Sequence, residues 1–407
     1  MKILYFSQFY TPESIAPSFR ATEHSKIWSK MGHDVTVFTG YPNYPSGRIF
    51  EGYIPKLMSK ESIDGVNVIR SKLVAVPNTS VIKRLENALS YFFFGLFNII
   101  FNKRKIGKEF DVVLGTSGVV FNALLAQIYS FFYRIPFIFE IRDITYVQMQ
   151  ATGKRKDSLA VKGMKMLELF LCKKASKIVV VTNGFKKSLI LDGVQEEKIE
   201  VITNGVDVKP LKNVPNSREK FVLSYFGTLG ISQDIVNTFA YGKVIADLTD
   251  DFEYLIIGEG AQRKEAEEQS EKSENFFIHL LPGMSAENLE PYYCHTQMSV
   301  ITLRKSENFK HTIPSKLFQI MGRGIAVLFI GPDGEAADII RKYHAGIVLT
   351  DSTEEDLVKL KNFFADNGWK DEVNQMGRNG RKAVEEHYLR TALAKRYIDV
   401  MDSVRSK

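Results

Sequence analysis

Short apolar runs alternate with longer stretches of helical periodicity from the first residues onward. In the first half the runs are Lys2–Phe6, Asp34–Thr39, Val66–Ser71, Val112–Gly115, Phe137–Ile141, Lys177–Val181 and Lys198–Ile202. Several are apolar at nearly every position, the pattern of parallel strands covered on both faces. Between them, Ser18–Met31 and Phe121–Tyr133 carry helical periodicity. Strands alternating with helices imply βαβ units and a doubly wound parallel sheet.

A second series begins after Val206-Asp207. The segment Lys209–Lys220, with Pro210 and Pro215, reads as a linker. Strands are then predicted at Val222–Phe226, Glu253–Gly258, Phe276–Leu280, Met298–Thr302, Ala326–Ile330 and Ala345–Leu349, and helices over Gln262–Glu271 and Pro314–Met321. A chain of 407 residues exceeds one ordinary core. The expected domains are 1–208 and 209–384. The last stretch, Arg378–Ser406, reads as helical, and 385–407 is expected to return to complete the first domain. Ligands in such folds collect at the carboxyl ends of strands.

Charge divides the two halves. Residues 1–215 hold 30 Lys+Arg against 18 Asp+Glu, a net of +12, and the remainder holds 24 against 29, a net of −5. A basic half beside an acidic one points to an anionic partner met by one domain. Nucleic acid is disfavoured, because zinc-finger spacing and an RNA-recognition aromatic signature are both missing. A membrane surface fits Leu85–Phe101, LENALSYFFFGLFNIIF, followed by Asn102-Lys103-Arg104-Lys105. Its apolar core is shorter than the roughly 20 residues of a membrane span. It reads either as a helix lying in the interface or as a buried helix with a solvated basic turn. Two cysteines, Cys172 and Cys294, are expected as free thiols in a reducing compartment. No signal peptide is recognisable at the start, so a cytoplasmic location is expected.

Three places in the second half suit a nucleotide diphosphate. Tyr225-Phe226-Gly227-Thr228-Leu229-Gly230 ends a strand in a glycine turn, where backbone N–H groups can approach a phosphate; a plain βα turn reads the same way. Ile256-Ile257-Gly258-Glu259-Gly260 is followed one helical turn later by Arg263, either a phosphate contact or a solvated helix residue. In Pro314-Ser315-Lys316-Leu317-Phe318-Gln319 a helix starts with its dipole and N–H groups free for an anion, and Lys316 adds a full charge. In the first half, Glu140-Ile141-Arg142-Asp143 ends an apolar strand in charged groups suited to acceptor binding or acid–base work, or to an internal ion pair. Arg20 lies on the first helix, after a loop with two prolines. HExxH, a Cys/His cluster and a P-loop are all missing, so metal hydrolysis and ATPase chemistry have no support.

Together these landmarks resemble the GT4 family of retaining glycosyltransferases. The resemblance rests on Met31-Gly32-His33-Asp34-Val35-Thr36-Val37, Val201-Ile202-Thr203-Asn204-Gly205-Val206-Asp207, Ile257-Gly258-Glu259-Gly260, and Pro314-Ser315-Lys316 through Gly324. Tyr41-Pro42-Asn43-Tyr44-Pro45-Ser46-Gly47 and Glu140–Asp143 resemble a bacterial subgroup that builds O-antigen, capsule and colanic-acid-type repeat units, N-acetyl-L-fucosamine transferases included. The resemblance implies a GT-B fold, two Rossmann-like doubly wound parallel-sheet domains with an inter-domain cleft. It also implies a nucleotide-sugar donor, with UDP the expected base, and needs no cofactor and no metal. The acceptor is implied to be a saccharide on polyprenyl diphosphate at the cytoplasmic membrane face, with other polysaccharide-assembly proteins as possible partners.

Carried onto this sequence, the catalytic positions are Lys316, Arg263 and His311. The base falls near Gly258, Glu259, Gly260, Leu281 and Pro282, and the diphosphate near Gly227, Thr228, Arg263, Ser315 and Lys316. Gln319 reaches donor hydroxyls, and Arg20, Arg142 and Asp143 meet the acceptor. Three departures stand out. His311 and Gln319 occupy the positions of two family glutamates, Thr228 replaces an arginine, and Glu13-Ser14-Ile15-Ala16-Pro17 stands where the family has Gly-Gly. The glutamate losses motivate a second reading, a silent scaffold of GT-B fold. A UDP-sugar epimerase of the same architecture is a third.

Overall fold

The computed structural model describes residues 1–107, 109–151, 158–208, 220–272 and 276–405. The expected linker falls almost wholly on 209–219, outside the described residues. Two compact units result: Met1–Thr203 with Thr391–Lys407, and Asn204–Arg390.

The first unit is built on one sheet of β1 (Lys2–Phe6), β2 (Asp34–Gly40), β3 (Met58–Ile63), β4 (Val66–Ser71), β5 (Val112–Thr116), β6 (Phe137–Ile141), β7 (Lys177–Val180) and β8 (Ile199–Val201). Its order is β3-β4-β2-β1-β5-β6-β7-β8. Helices α1 (Ala16–Lys30), α2 (Val81–Phe101), α3 (Lys103–Ile106), α4 (Val120–Tyr133), α5 (Thr145–Ala151), α6 (Leu159–Lys174) and α7 (Asn183–Leu191) connect the strands. β1 shows why its run is apolar throughout. Leu4 and Phe6 enter one core with Phe38 and Tyr129, while Ile3 and Tyr5 enter the other with Val35 and Trp28. A strand between two helical layers has no solvent face to make polar.

The second unit carries β9 (Phe221–Phe226), β10 (Phe252–Ile257), β11 (Ile278–Leu281), β12 (Met298–Thr302), β13 (Ala326–Ile330) and β14 (Gly346–Leu349), ordered β11-β10-β9-β12-β13-β14 and parallel throughout. Its helices are α8 (Phe239–Ala246), α9 (Arg263–Ser270), α10 (Ala286–His295), α11 (Ser315–Gly322), α12 (Glu335–Lys342), α13 (Thr353–Ala365) and α14 (Trp369–Ala383). Again two cores lie on the two faces.

Two features differ from the sequence reading. β3 is an extra strand, antiparallel to β4. Its sequence, MSKESI, is half-exposed at the sheet edge and too polar to register as an apolar run. The turn to β4 uses Asp64 and Gly65, both at positive φ (50° and 80°), the backbone of a two-residue hairpin. The carboxyl-terminal stretch is also not one helix. After α14 a π-helical turn, Val384–Tyr388, leads to Leu389, and α15 (Arg390–Arg405) starts afresh. At that break Val206 N–H donates to Tyr388 O (3.0 Å) and Arg390 N–H to Val206 O (3.1 Å). The two chain segments leading out of the second unit are thereby tied together. α15 packs in the first unit's core through Leu393, Tyr397 and Met401, and Trp28 Nε1–H donates to Ala394 O at 3.0 Å.

Candidate active site

In the second sheet, β9 is followed by β10 and β11 on one side, and the chain then returns to β12 on the other. The strand order therefore reverses between β9 and β12, and ligands bind outside the carboxyl ends at such a point. Glycines shape the loops there. Gly227 has φ +132°, and a Cβ on it would crowd the Lys316 ammonium. Gly258 leaves no room for a Cβ against the Gly227 carbonyl. The β9 and β10 loops interlock through Gly227 N–H to Ile257 O (2.9 Å), Leu229 N–H to Glu259 O (2.8 Å) and Gln262 N–H to Leu229 O (2.9 Å).

Lys316 enters this cradle from the second position of α11. Pro314 starts the helix without a side-chain cap; Leu317 N–H donates to Pro314 O at 2.9 Å, which leaves the Ser315 and Lys316 N–H groups without a partner within the helix. The ammonium lies 4.4 Å from the Tyr225 ring centroid and donates to Tyr225 Oη at 3.2 Å. Tyr225 Oη in turn donates to Thr228 O at 2.6 Å. Burial pushes the Lys316 pKa down to about 8. A desolvated cation beside a Cβ-free backbone and uncapped N–H groups is a receptor for an anion. Tyr225 is the residue the sequence reading passed over. Its signal is an aromatic side chain on the strand that ends at the glycine turn.

The other expected donor residues divide. Glu259 Oε1 accepts from Gly283 N–H at 3.1 Å, and Gly258 N–H donates to Leu281 O at 3.3 Å, which gathers Glu259, Gly260, Leu281 and Pro282 at one edge. Arg263 staples that edge. Its Nη1 donates to Gly258 O (3.0 Å) and Leu281 O (2.6 Å), and its Nε to Glu267 (2.6 Å). Two of its five N–H groups thus hold the loops and one pairs with Glu267 on its own helix, and Nη2 alone is left without a hydrogen bond among the described residues. Ser315 and Gln319, four apart on α11, are both exposed and share one face. His311 lies in the loop after β12, half-exposed, with Nδ1 3.6 Å from Glu335 Oε1.

In the first unit the expected acceptor residues part company. Arg20 is buried and engaged. Its Nε lies 2.9 Å from Glu140 Oε1, and Nη2 donates to Tyr397 Oη at 2.6 Å. Tyr397 (2.7 Å) and Tyr5 (2.9 Å) donate to the same carboxylate. Burial would raise the Glu140 pKa, but the charges of Arg20 and Arg142 outweigh it and hold the group at about 2. Arg20 as an acceptor contact is therefore corrected, because a carboxylate with no solvent exposure needs a paired cation. Arg142 and Asp143 emerge beyond it. Arg142 N–H donates to Ser117 Oγ at 2.8 Å, and its guanidinium makes no hydrogen bond or ion pair among the described residues.

The carboxyl ends of β1, β2 and β5 border a cavity of about 520 Å³. Gln8, Asn43 and Asn87 line its polar part, and Val81, Leu85 and Phe121 its apolar part. No cluster of three His, Cys, Asp or Glu that could hold a metal ion occurs among the described residues, nor does a helix long and apolar enough to cross a membrane.

Residues 20–209 match the model described as Glycosyltransferase Family 4, and residues 212–383 the one described as Glycosyl transferases group 1. WcaI of Escherichia coli (strain K12), described as a glycosyl transferase of colanic acid biosynthesis, is 21% identical over 345 residues, 80% of this chain and 82% of its own. Among solved structures, sucrose-phosphate synthase of Thermosynechococcus elongatus superposes with a TM-score of 0.70 at 14% identity, over 100% of this chain and 99% of that one. HepE of Anabaena, solved with UDP and glucose, gives 0.66 at 12% identity, over 99% and 100%. At such identities the likeness is one of fold.

Proposed function

The chain is a GT-B glycosyltransferase of family 4, and from that premise we propose that it moves a sugar from a UDP-sugar to a saccharide carried on polyprenyl diphosphate, with retention at the anomeric carbon. The sugar is an N-acetylated deoxyhexosamine, N-acetyl-L-fucosamine first among the candidates, and the product is a bacterial capsule or O-antigen repeat unit. The observation that carries this reading is Lys316, desolvated against Tyr225 and close against the Cβ-free backbone of Gly227. UDP is supported by HepE, whose solved structures hold it, and the polysaccharide pathway by WcaI.

In the proposed reaction the anomeric carbon's bond to the diphosphate oxygen breaks, and the electron pair stays on UDP. The acceptor hydroxyl forms the new bond on the same face and gives its proton to the departing diphosphate. Lys316 and the first-turn N–H groups of α11 offset the charge developing on that oxygen. Glu259 and the Leu281-Pro282 edge receive the base, Gln319 receives donor hydroxyls, and His311 borders the sugar. Arg142 and Asp143 serve the acceptor. No metal takes part, so EDTA leaves the rate unchanged. The acceptor's lipid holds the protein at the cytoplasmic face of the membrane.

The test is a thermal-shift panel with UDP, GDP, dTDP and UDP-N-acetylsugars, repeated on Lys316→Ala. A ligand at 100 times its Kd stabilises the folded state by about 2.7 kcal/mol. UDP and its sugars are expected to raise the melting temperature, and the Lys316→Ala protein to show a much smaller rise. No rise with any nucleotide sinks the proposal.

A further inference from the structure

We propose that the Tyr225 phenol is a positioning residue for the transfer. It gives its one proton to Thr228 O and accepts from Lys316 Nζ. It thereby ties the glycine turn to α11 and aims the remaining two ammonium N–H groups at the donor diphosphate. This deepens the UDP-sugar reading and rests on it.

Successive residues of β9 face opposite sides of the second sheet. Phe221, Leu223 and Tyr225 enter the core on one side, whereas α11 packs Leu317, Phe318 and Met321 into the core on the other. Lys316 belongs to α11, yet its ammonium lies 4.4 Å from the centre of the Tyr225 ring. The side chain reaches there over the end of the sheet, past Gly227, two positions beyond Tyr225. A Cβ on Gly227 would meet Lys316 Cε at 3.1 Å and the ammonium closer still. The missing side chain is therefore what admits the lysine to the tyrosine.

The two hydrogen bonds at the phenol can run only one way. Thr228 O accepts and cannot donate, so the phenol proton is committed to it at 2.6 Å. An ammonium donates and cannot accept, so the 3.2 Å contact from Lys316 ends on a phenol lone pair. Burial raises the Tyr225 pKa, which keeps that proton in place at neutral pH. One ammonium N–H is thus held, and the group no longer rotates freely. The other two make no hydrogen bond among the described residues, although burial has removed much of their water. Two unmatched N–H groups on a desolvated cation call for an anion with more than one oxygen. A tyrosine serving the core alone would need only Thr228 O, and Lys316 would be free to extend into water. As the sugar departs, charge grows on the diphosphate, so N–H groups already aimed at it count most in the transition state. UDP carries that charge fully developed and is therefore the probe.

The test is titration calorimetry of the full chain with UDP from pH 6 to 9.5. Tyr225→Phe removes the hydroxyl and keeps the buried ring, and a melting curve without UDP checks its fold. At pH 7 it should bind UDP about three- to tenfold more weakly, the factor that one hydrogen bond supplies. Losing an acceptor disfavours the protonated lysine. The pH above which affinity falls should therefore move down from about 8, by roughly half a unit or more. In the Lys316→Ala background the same change should alter affinity less than about twofold, because the phenol acts through the lysine. Equal losses with and without Lys316 would make Tyr225 a residue of the fold alone and overturn the inference. A Tyr225→Phe protein with wild-type affinity and an unmoved profile also overturns it, and leaves the transferase reading standing. A wild type that binds no UDP removes both.

Discussion

An ammonium held against a tyrosine face, with one hydrogen bond and little water, gives up its proton more readily than a surface lysine. At Lys316 this lowers the pKa from 10.5 to about 8. The unliganded protein therefore loses this charge as pH rises through about 8. A diphosphate beside the ammonium favours the protonated form, so binding above pH 8 takes up a proton. UDP affinity should accordingly weaken by up to about tenfold per pH unit above 8. Titration calorimetry from pH 7 to 9.5 reads this directly. Lys316→Ala should bind about 10- to 100-fold more weakly at pH 7, the range of a charge-assisted hydrogen bond of about 1.5–3 kcal/mol, and should lose the slope. A wild-type protein with a flat profile would remove Lys316 from the diphosphate. Stability follows the same group: between about pH 8 and 10.5 the unfolded chain holds a proton that the folded one has released, so this lysine's contribution rises with pH there. Much of this site was legible as sequence, because glycines after strands and a Pro-Ser-Lys helix start are local signals. Arg20 was not legible, since its partners Glu140 and Tyr397 lie 120 and 377 positions away.

At the level of elements, α2 poses a question that its own packing does not answer. It buries Asn87, Tyr91, Gly95 and Asn98 yet leaves Phe93 63% exposed, with Ile82, Phe97 and Phe101 along the same side. Phe131 and Phe132 at the end of α4 are exposed too. Lys103, Arg104 and Lys105 follow α2 directly and are all exposed. Apolar rings bounded by cations are the composition of a surface that lies in a lipid interface. The protein is expected to float with vesicles containing phosphatidylglycerol and to remain behind with pure phosphatidylcholine, less so as salt rises. Replacing Phe93 and Phe97 with serine should weaken vesicle binding at least tenfold, since each ring is worth roughly 1.5–3 kcal/mol when fully buried. A wild-type protein that never floats at low salt would contradict this. The apolar run itself was plain in the sequence. Which of its side chains face inward depends on partners far off in sequence, and the helix has both a buried side and an exposed apolar one. β3 was missed for the opposite reason: an edge strand with one face in water carries too few apolar residues, and Asp64-Gly65 was its one clear local mark.

On the scale of the whole molecule, α15 makes the first unit discontinuous in sequence. Its residues Leu393, Tyr397 and Met401 share a core with Ile3, Tyr5 and Trp28, and Tyr397 supplies one of the groups around the buried carboxylate of Glu140. Removing residues 391–407 therefore leaves Glu140 and Arg20 without Tyr397 and opens one face of the first sheet. The second unit keeps both of its cores, which draw only on residues 204–390. Calorimetry of the full chain should resolve two transitions, of which UDP raises one. Deleting 391–407 is expected to lower or abolish the other transition and to leave the UDP-responsive one within about 2 °C. Residues 204–390 expressed alone should fold and bind UDP within threefold of the full chain. A single transition that UDP shifts as a whole, or a lone second unit that does not bind, would mean that the donor site depends on the first unit for its shape. In that case Lys316 and its glycine cradle would be only part of the receptor, and the residues completing it would have to be sought outside 204–390.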